Sequence, residues 1–195
     1  MEEGEFMKLI QMGMLAIALT LTSGCAFQKQ AIKLAPKVEV EKNDLGAGKQ
    51  VMVNVADERP RATLGTRGVS GIGEQLTVEG NLVEIVKAAV NEGLQRQGFA
   101  IEGPLENQLR VEIRNLDYTV NSGFWAGKLN VEFLLKGICI KDNNRPYEQI
   151  YRGEFRENIQ VVQGEEANNT YVNTAVSSAI NLLLADKLLL QCLAK

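Results

Sequence analysis

Residues 107–120 read NQLRVEIRNLDYTV. Leu109, Val111 and Ile113 alternate with Arg110, Glu112 and Arg114, the two-residue period of a strand with one face in water. The apolar phase then slips by one residue, to Leu116, Tyr118 and Val120. One inserted residue turns every later side chain to the opposite face, so the slip predicts a β-bulge near Asn115. Downstream, Asn121-Ser-Gly-Phe-Trp-Ala-Gly127 reads as a turn leading into a second strand over 128–141, with its own phase change near Gly137. Asp142-Asn-Asn-Arg-Pro146 is a turn by composition, and 147–161 is a third strand. The three predict an antiparallel meander.

Upstream of the meander, Val51, Val53 and Val55 define a strand over 50–56, which ends at Asp57-Glu58-Arg59-Pro60 because proline cannot continue a ladder. A glycine-rich loop over 64–73 and a short strand over 75–78 follow. Leu82, Ile85, Val86, Ala89, Val90 and Leu94 recur at three- and four-residue steps, the apolar face of a helix over 81–97. Asn81 is placed to cap its start and Gly98 suits its end. A short extended piece follows at 99–101. The chain closes with an apolar-faced segment read as one helix over 166–192. The predicted class is α+β, a two-layer domain with a mainly antiparallel sheet, β-α-β-β-β-α order and both helices on one face.

The N-terminus carries a different signal. Leu9, Ile10, Met12, Met14, Leu15, Ile17, Leu19 and Leu21 form an apolar run too short for a stable membrane span, which needs roughly 20 residues. It ends at Thr22-Ser23-Gly24-Cys25 and resembles a bacterial lipobox within a secretory signal. In that motif small residues admit the chain to the signal peptidase, and the thiol receives a diacylglyceryl group. Cys25 is therefore expected to be lipidated and to become the first residue of the mature protein. Thr22 stands where the motif usually has Leu, and Glu2, Glu3 and Glu5 make the start acidic where a signal is normally basic. Met7-Lys8 would give an ordinary start, so 1–6 read as a mis-assigned beginning. The organisation expected is a signal over 1–24, a lipidated tether over 25–48 and one periplasmic domain over 49–195. Several acyl chains anchor stably where one does not. Ala26 follows the cysteine in place of an inner-membrane retention Asp, which points to the periplasmic face of the outer membrane.

The whole chain has 21 basic and 24 acidic residues; without 1–24 its net charge is near −1. No basic stripe marks a nucleic-acid surface. Histidine is absent altogether, which excludes Ser-His-Asp triads and His-containing metal motifs; neither a metal nor a cofactor beyond the lipid on Cys25 is expected. Glu74, Glu79, Glu84 and Glu92 could in principle pair as glycosidase carboxylates, but they read as surface positions. The loop Gly65-Thr-Arg67-Gly-Val-Ser-Gly-Ile-Gly73 lacks the Gly-Lys-Ser/Thr ending that a phosphate-binding P-loop requires. It reads as a flexible loop or, through Arg67, as one that orders on a partner.

The lipobox Cys25, the strand VMVNVADERP with its Asp57-x-Arg59 step, the helix ending LQRQGFAI, the meander and the Ala-rich C-terminal helix starting near Tyr171 together resemble the YajG-like family of outer-membrane lipoproteins. The resemblance implies an envelope role and supplies no catalytic residues. Asp57 and Arg59 are read as a strand-end ion pair in preference to a binding step.

Three features stay open at the level of sequence. Cys139 and Cys192 are either a periplasmic disulfide or two buried thiols. Phe124 and Trp125 form an interface anchor, a tip folded onto the sheet, or a headgroup contact. The expected function is that of a non-enzymatic accessory or scaffold lipoprotein that engages a cell-envelope protein. The alternative is a lipoprotein that holds a glycan fragment or lipid.

Overall fold

The computed structural model describes residues 29–66, 73–104, 106–122, 127–159 and 163–195. Eight strands form one sheet: β1 (Gln30–Ile32), β2 (Gln50–Asp57), β3 (Gly65–Thr66), β4 (Gln75–Val78), β5 (Ala100–Ile101), β6 (Asn107–Ser122), β7 (Gly127–Lys141) and β8 (Asn144–Ile159). Three helices accompany it: α1 (Leu82–Arg96), α2 (Glu165–Ala185) and α3 (Lys187–Ala194). The meander β6-β7-β8 is antiparallel as expected, and its register shifts between Ile113 and Asn115. Beyond that bulge Leu116 and Tyr118 return to the core, 1% and 2% exposed.

The sheet as a whole is mixed, which corrects the expectation of a mainly antiparallel one. Four of its seven pairings are parallel: β1 with β4, β2 with β5, β2 with β6, and β3 with β6. The physical reason is the long connection through α1, which carries the chain from β2 over the sheet and back beside it. Strands joined by such a crossover run parallel. Pairing through Gly137 is unbroken, and the second irregularity falls between Cys139 and Lys141. The β7–β8 turn needs only Asp142 and Asn143, both left-handed at φ 49° and 64°, the geometry of a tight two-residue hairpin. Pro146 accordingly belongs to the outer strand β8, where a missing N–H is tolerated.

The expected single C-terminal helix is two. Asp186 is extended at φ −74°, ψ 103°, and its side chain accepts from the N–H groups of Leu188 and Leu189, capping α3. The two axes meet at 53°. Among the described residues no single helix is long and apolar enough to cross a membrane; Val172, Val176, Ile180 and Leu183 of α2 are fully buried. Where α2 crosses β8 its backbone lies directly on Gly153: a Cβ there would overlap the Ala175 carbonyl oxygen and sit 2.6 Å from the Ala179 nitrogen. α1 touches α2 through Gly93, whose position leaves room for Leu184.

The opposite sheet face is a charge lattice. Arg110 and Arg114 pair with Glu112, Arg152 with Glu132 and Glu154, Arg156 with Glu154, and Lys136 with Glu148. Most of these pairs join residues two apart on one strand and two cross between β7 and β8, so arginines offset the row in which Asp117, Glu132 and Glu154 face one another.

From Gln30 onward, the segment expected as tether is part of the domain. Gln30–Ile32 forms β1, paired with β4. Ile32 and Leu34 are buried, and Val38 and Val40 pack against the same core. At its end, Asn43, Gly46 and Gly48 donate backbone N–H groups to the carbonyls of Arg96, Gln97 and Gly98 at the exit of α1.

Candidate functional site

The docked segment lies along α2 as a strap, held by a repeating ladder. The N–H of Lys33 donates to Asn169 Oδ1 (3.0 Å), Ala35 to Asn173 Oδ1 (2.6 Å), Lys37 to Ser177 Oγ (2.9 Å) and Glu39 to Asn181 Oδ1 (2.9 Å). Asn173 and Asn181 return the bond from Nδ2 to the carbonyls of Lys33 and Lys37. The periods match: four helical residues rise about 6.0 Å and two extended residues about 6.6 Å. Each fourth position of α2 therefore meets each second residue of the strap. Pro36 occupies an inward phase whose N–H the ladder does not use, so it breaks nothing.

At the start of the strap is a buried polar hub. Asn168 is fully buried; its Oδ1 accepts from Tyr118 Oη at 2.7 Å and its Nδ2 donates to Gln30 Oε1 at 2.9 Å. Gln30 Nε2 donates in turn to the Glu165 carbonyl at 3.1 Å. The hub ties β1, β6 and the first turn of α2 together with its amides satisfied, so it adds rigidity without leaving a stranded polar group.

Beside the strap, the next stripe of α2 (Thr170, Thr174, Ser178 and Leu182) lines an open groove of about 800 Å³. Its floor is hydroxyls and amides, and Leu182, 49% exposed, stands at one end. A second groove of about 580 Å³ lies at the far end of the molecule between Asn107, Lys141, Tyr147 and Leu188. Burial and the nearby Lys49 push the Lys141 ammonium down, and its Nζ donates to the Leu193 carbonyl at 3.4 Å.

The Asp186 joint sits next to this second groove. Its Oδ2 accepts from both Tyr147 Oη and Tyr151 Oη at 2.7 Å, while Oδ1 takes the Leu188 and Leu189 N–H groups. Burial pushes the carboxyl up, but these four donors outweigh it and hold the pKa below the ordinary value. The Tyr147 phenol, donating to that carboxylate, is pushed up to about 12. Burial and the same acceptor push Tyr151 up further. With its acceptor directions occupied, the carboxylate is a structural joint and has no lone pair aimed at solvent for base chemistry.

Among the residues singled out from sequence, Cys25, Arg67, Phe124 and Trp125 lie outside the described residues. The strand ends that flank Arg67 and the Phe124-Trp125 pair do leave the same end of the sheet, because Gly65 pairs with Tyr118. Arg59 clamps Asp57 with Nε and Nη2, both at 2.8 Å, and its N–H adds a third bond at 3.2 Å. These bonds lower the Asp57 pKa, the Arg59 side chain contributing most. Arg59 is 6% exposed in its side chain, so the pair fixes the strand end.

Cys139 and Cys192 are joined in a disulfide, Cα–Cα 6.4 Å. Of the four glutamates, Glu79, Glu84 and Glu92 are exposed, but Glu74 is buried, contrary to its surface assignment. The described residues contain no group of three metal-ligating side chains. Sequence reasoning missed the α2 ladder; its signal was the four-residue spacing Asn169, Asn173, Ser177, Asn181.

A family model described as uncharacterized lipoprotein matches residues 36–194. No curated protein matches the chain. Among solved structures, the protein XCC0632 from Xanthomonas campestris is similar at 14% identity and TM-score 0.49, covering 83% of this chain and 95% of that one. A Helicobacter pylori protein described as a neuraminyllactose-binding hemagglutinin homolog is similar at 10% identity and TM-score 0.48, over 82% and 95%. A minor lipoprotein of Acinetobacter baumannii follows at 6% identity and TM-score 0.44, over 71% and 91%. All three TM-scores fall below 0.5.

Proposed function

This chain belongs to the uncharacterized lipoprotein family, and on that premise we propose that it is a non-catalytic accessory or scaffold lipoprotein. It is anchored through Cys25 on the periplasmic face of the outer membrane and engages a protein of the cell envelope. Within the family we read it as YajG-like, from the Asp57-x-Arg59 step and the Gln97-Gly98-Phe99 helix exit. The Cys139–Cys192 disulfide supports an oxidising compartment.

The observation that carries the partner reading is the surface of α2. The strap ladder fixes the helix on one side, and the neighbouring Thr170, Thr174, Ser178 and Leu182 present a preformed groove of hydroxyls with one apolar end. A surface already rigid in the free protein loses little entropy on binding. The alternative, a holder of glycan or lipid, calls for a convergent apolar pocket, whereas both grooves described are open and carry charged or polar walls.

The test is in-cell photo-crosslinking from position Thr174, with Lys136 on the charged sheet face as the comparison. A defined envelope-protein adduct is expected from position 174 alone, and Thr170→Arg should abolish it with the melting temperature unchanged. Adducts equal at both positions, or persisting in Thr170→Arg, would contradict this surface.

A further inference from the structure

Gln30, Leu76, Gly65, Tyr118, Val131 and Phe155 lie in one row across the sheet, from the pairings of β1 with β4, β4 with β3, β3 with β6, β6 with β7 and β7 with β8. β1 is parallel to β4, β4 antiparallel to β3, and β3 parallel to β6. β1 therefore runs opposite to β6. Traced backward from Gln30, the chain heads toward the end where β6 finishes at Ser122, β8 finishes at Ile159 and α2 begins.

Lengths then decide which end of the domain can meet a membrane. Five residue steps separate Cys25 from Gln30, a reach of at most about 18 Å at 3.3–3.6 Å per step. From the Gln30 row to the near end of β6 at Ser122 is four residues, about 13 Å. To the far end at Asn107 it is eleven residues, about 36 Å. Gln30 itself cannot move to extend the reach, because it is paired in β1, 6% exposed and bonded to Asn168 and Glu165. A short leash from a fixed point reaches past one end only.

We propose that this near end is a phospholipid-headgroup docking surface and that β6, β7 and β8 stand upright on the bilayer that holds the anchor. The proposal rests on acylation of Cys25. At this end Thr119, Asn121, Lys128, Asn130, Arg156 and Asn158 line an open groove of about 490 Å³, with Glu157 also on its wall. Arg156 is paired with Glu154, so Lys128, the amides and the hydroxyl are the groups that suit phosphate and glycerol oxygens. The far end, with the Asp142–Asn143 turn and the Lys141 groove, then projects away from the membrane.

The experiment uses the full acylated chain in phosphatidylethanolamine–phosphatidylglycerol vesicles carrying a headgroup quencher. An environment-sensitive fluorescent amino acid is placed singly at Asn121, Asn158, Asn143 and Lys187, all exposed. Quenching at 121 and 158 at least threefold stronger than at 143 and 187 is expected, with the contrast reduced in Lys128→Glu/Arg156→Glu while vesicle association persists. Equal quenching at both ends, or stronger quenching at 143, would overturn the orientation while leaving the anchor intact. Protein that fails to float with the vesicles would overturn the Cys25 reading, and the orientation with it.

Discussion

The Asn173 side chain grips the strap at two points: its Nδ2 donates to the Lys33 carbonyl at 2.9 Å, and its Oδ1 accepts from the next outward N–H, that of Ala35, at 2.6 Å. An amide that satisfies both kinds of backbone group in an extended segment acts as a substitute strand edge. Asn181 repeats the arrangement at Lys37 and Glu39. The double variant Asn173→Ala/Asn181→Ala removes four strap hydrogen bonds and should lose about 2–6 kcal/mol, at about 0.5–1.5 kcal/mol net for each. Hydrogen exchange would localise the effect: the amides of Ala35 and Glu39 should lose protection while those of β6 and β7 keep theirs. Unchanged protection at 35 and 39 would show that apolar packing alone holds the strap.

Gly153 predicts a larger effect from a smaller change. A methyl group there meets the backbone of α2 at Ala175 and Ala179, which cannot swing aside as a side chain would. Gly153→Ala should cost about 3 kcal/mol, the upper part of the usual overpacking range. Gly164→Ala, with open space around the new methyl, should cost under about 1 kcal/mol. Urea midpoints of the two variants measure the contrast, and equal midpoints would refute the close helix–sheet approach.

The disulfide spans 53 residues, and loop-closure entropy assigns such a link about 4 kcal/mol. Cys139→Ser/Cys192→Ser should lower the melting temperature markedly, and reductant should do the same to the native chain but not to the variant. A native chain insensitive to reductant would argue that the two thiols are unpaired.

The Asp186 joint sets a pH dependence with a definite sign. Its pKa is lowered on folding from the ordinary 3.8, so its contribution is complete above that value and is lost as pH falls through the folded value. Tyr147 behaves oppositely: raised from 10.0 to about 12, it favours the folded state fully below pH 10 and ceases to do so as pH rises through about 12. Asp186→Asn keeps a capping side chain but removes the charge. Urea titrations between pH 5 and pH 2 should show a shallower fall in stability for the variant than for the native chain; identical slopes would remove Asp186 from the account.

The meander was legible because its strands keep one buried face, and the Asn115 slip marked its bulge. Asn81 capping α1 was legible for the same reason, since the chemistry is local. Three of the parallel pairings were not, because β1, β3 and β5 are two or three residues long and too short to show a period; the fourth, β2 with β6, joins two strands whose periods were plain, but a period does not say which strands pair. The strap hid differently. Ile32, Leu34, Val38 and Val40 fall on every second position, but Ala35 and Pro36 break the alternation with polar residues, and the partner ladder sits about 140 residues away. The break at Asp186 was masked by apolar residues on both sides, Leu183 and Leu184 before and Leu188 to Leu190 after.

The central claim is anchorage through Cys25, and the intact mass of the mature protein purified from membranes tests it most directly. The account predicts a chain that begins at Cys25 and carries covalent acyl groups, and a Cys25→Ala variant that leaves the membrane fraction. A mature chain with an unmodified Cys25, or a membrane pool unchanged in Cys25→Ala, would contradict it.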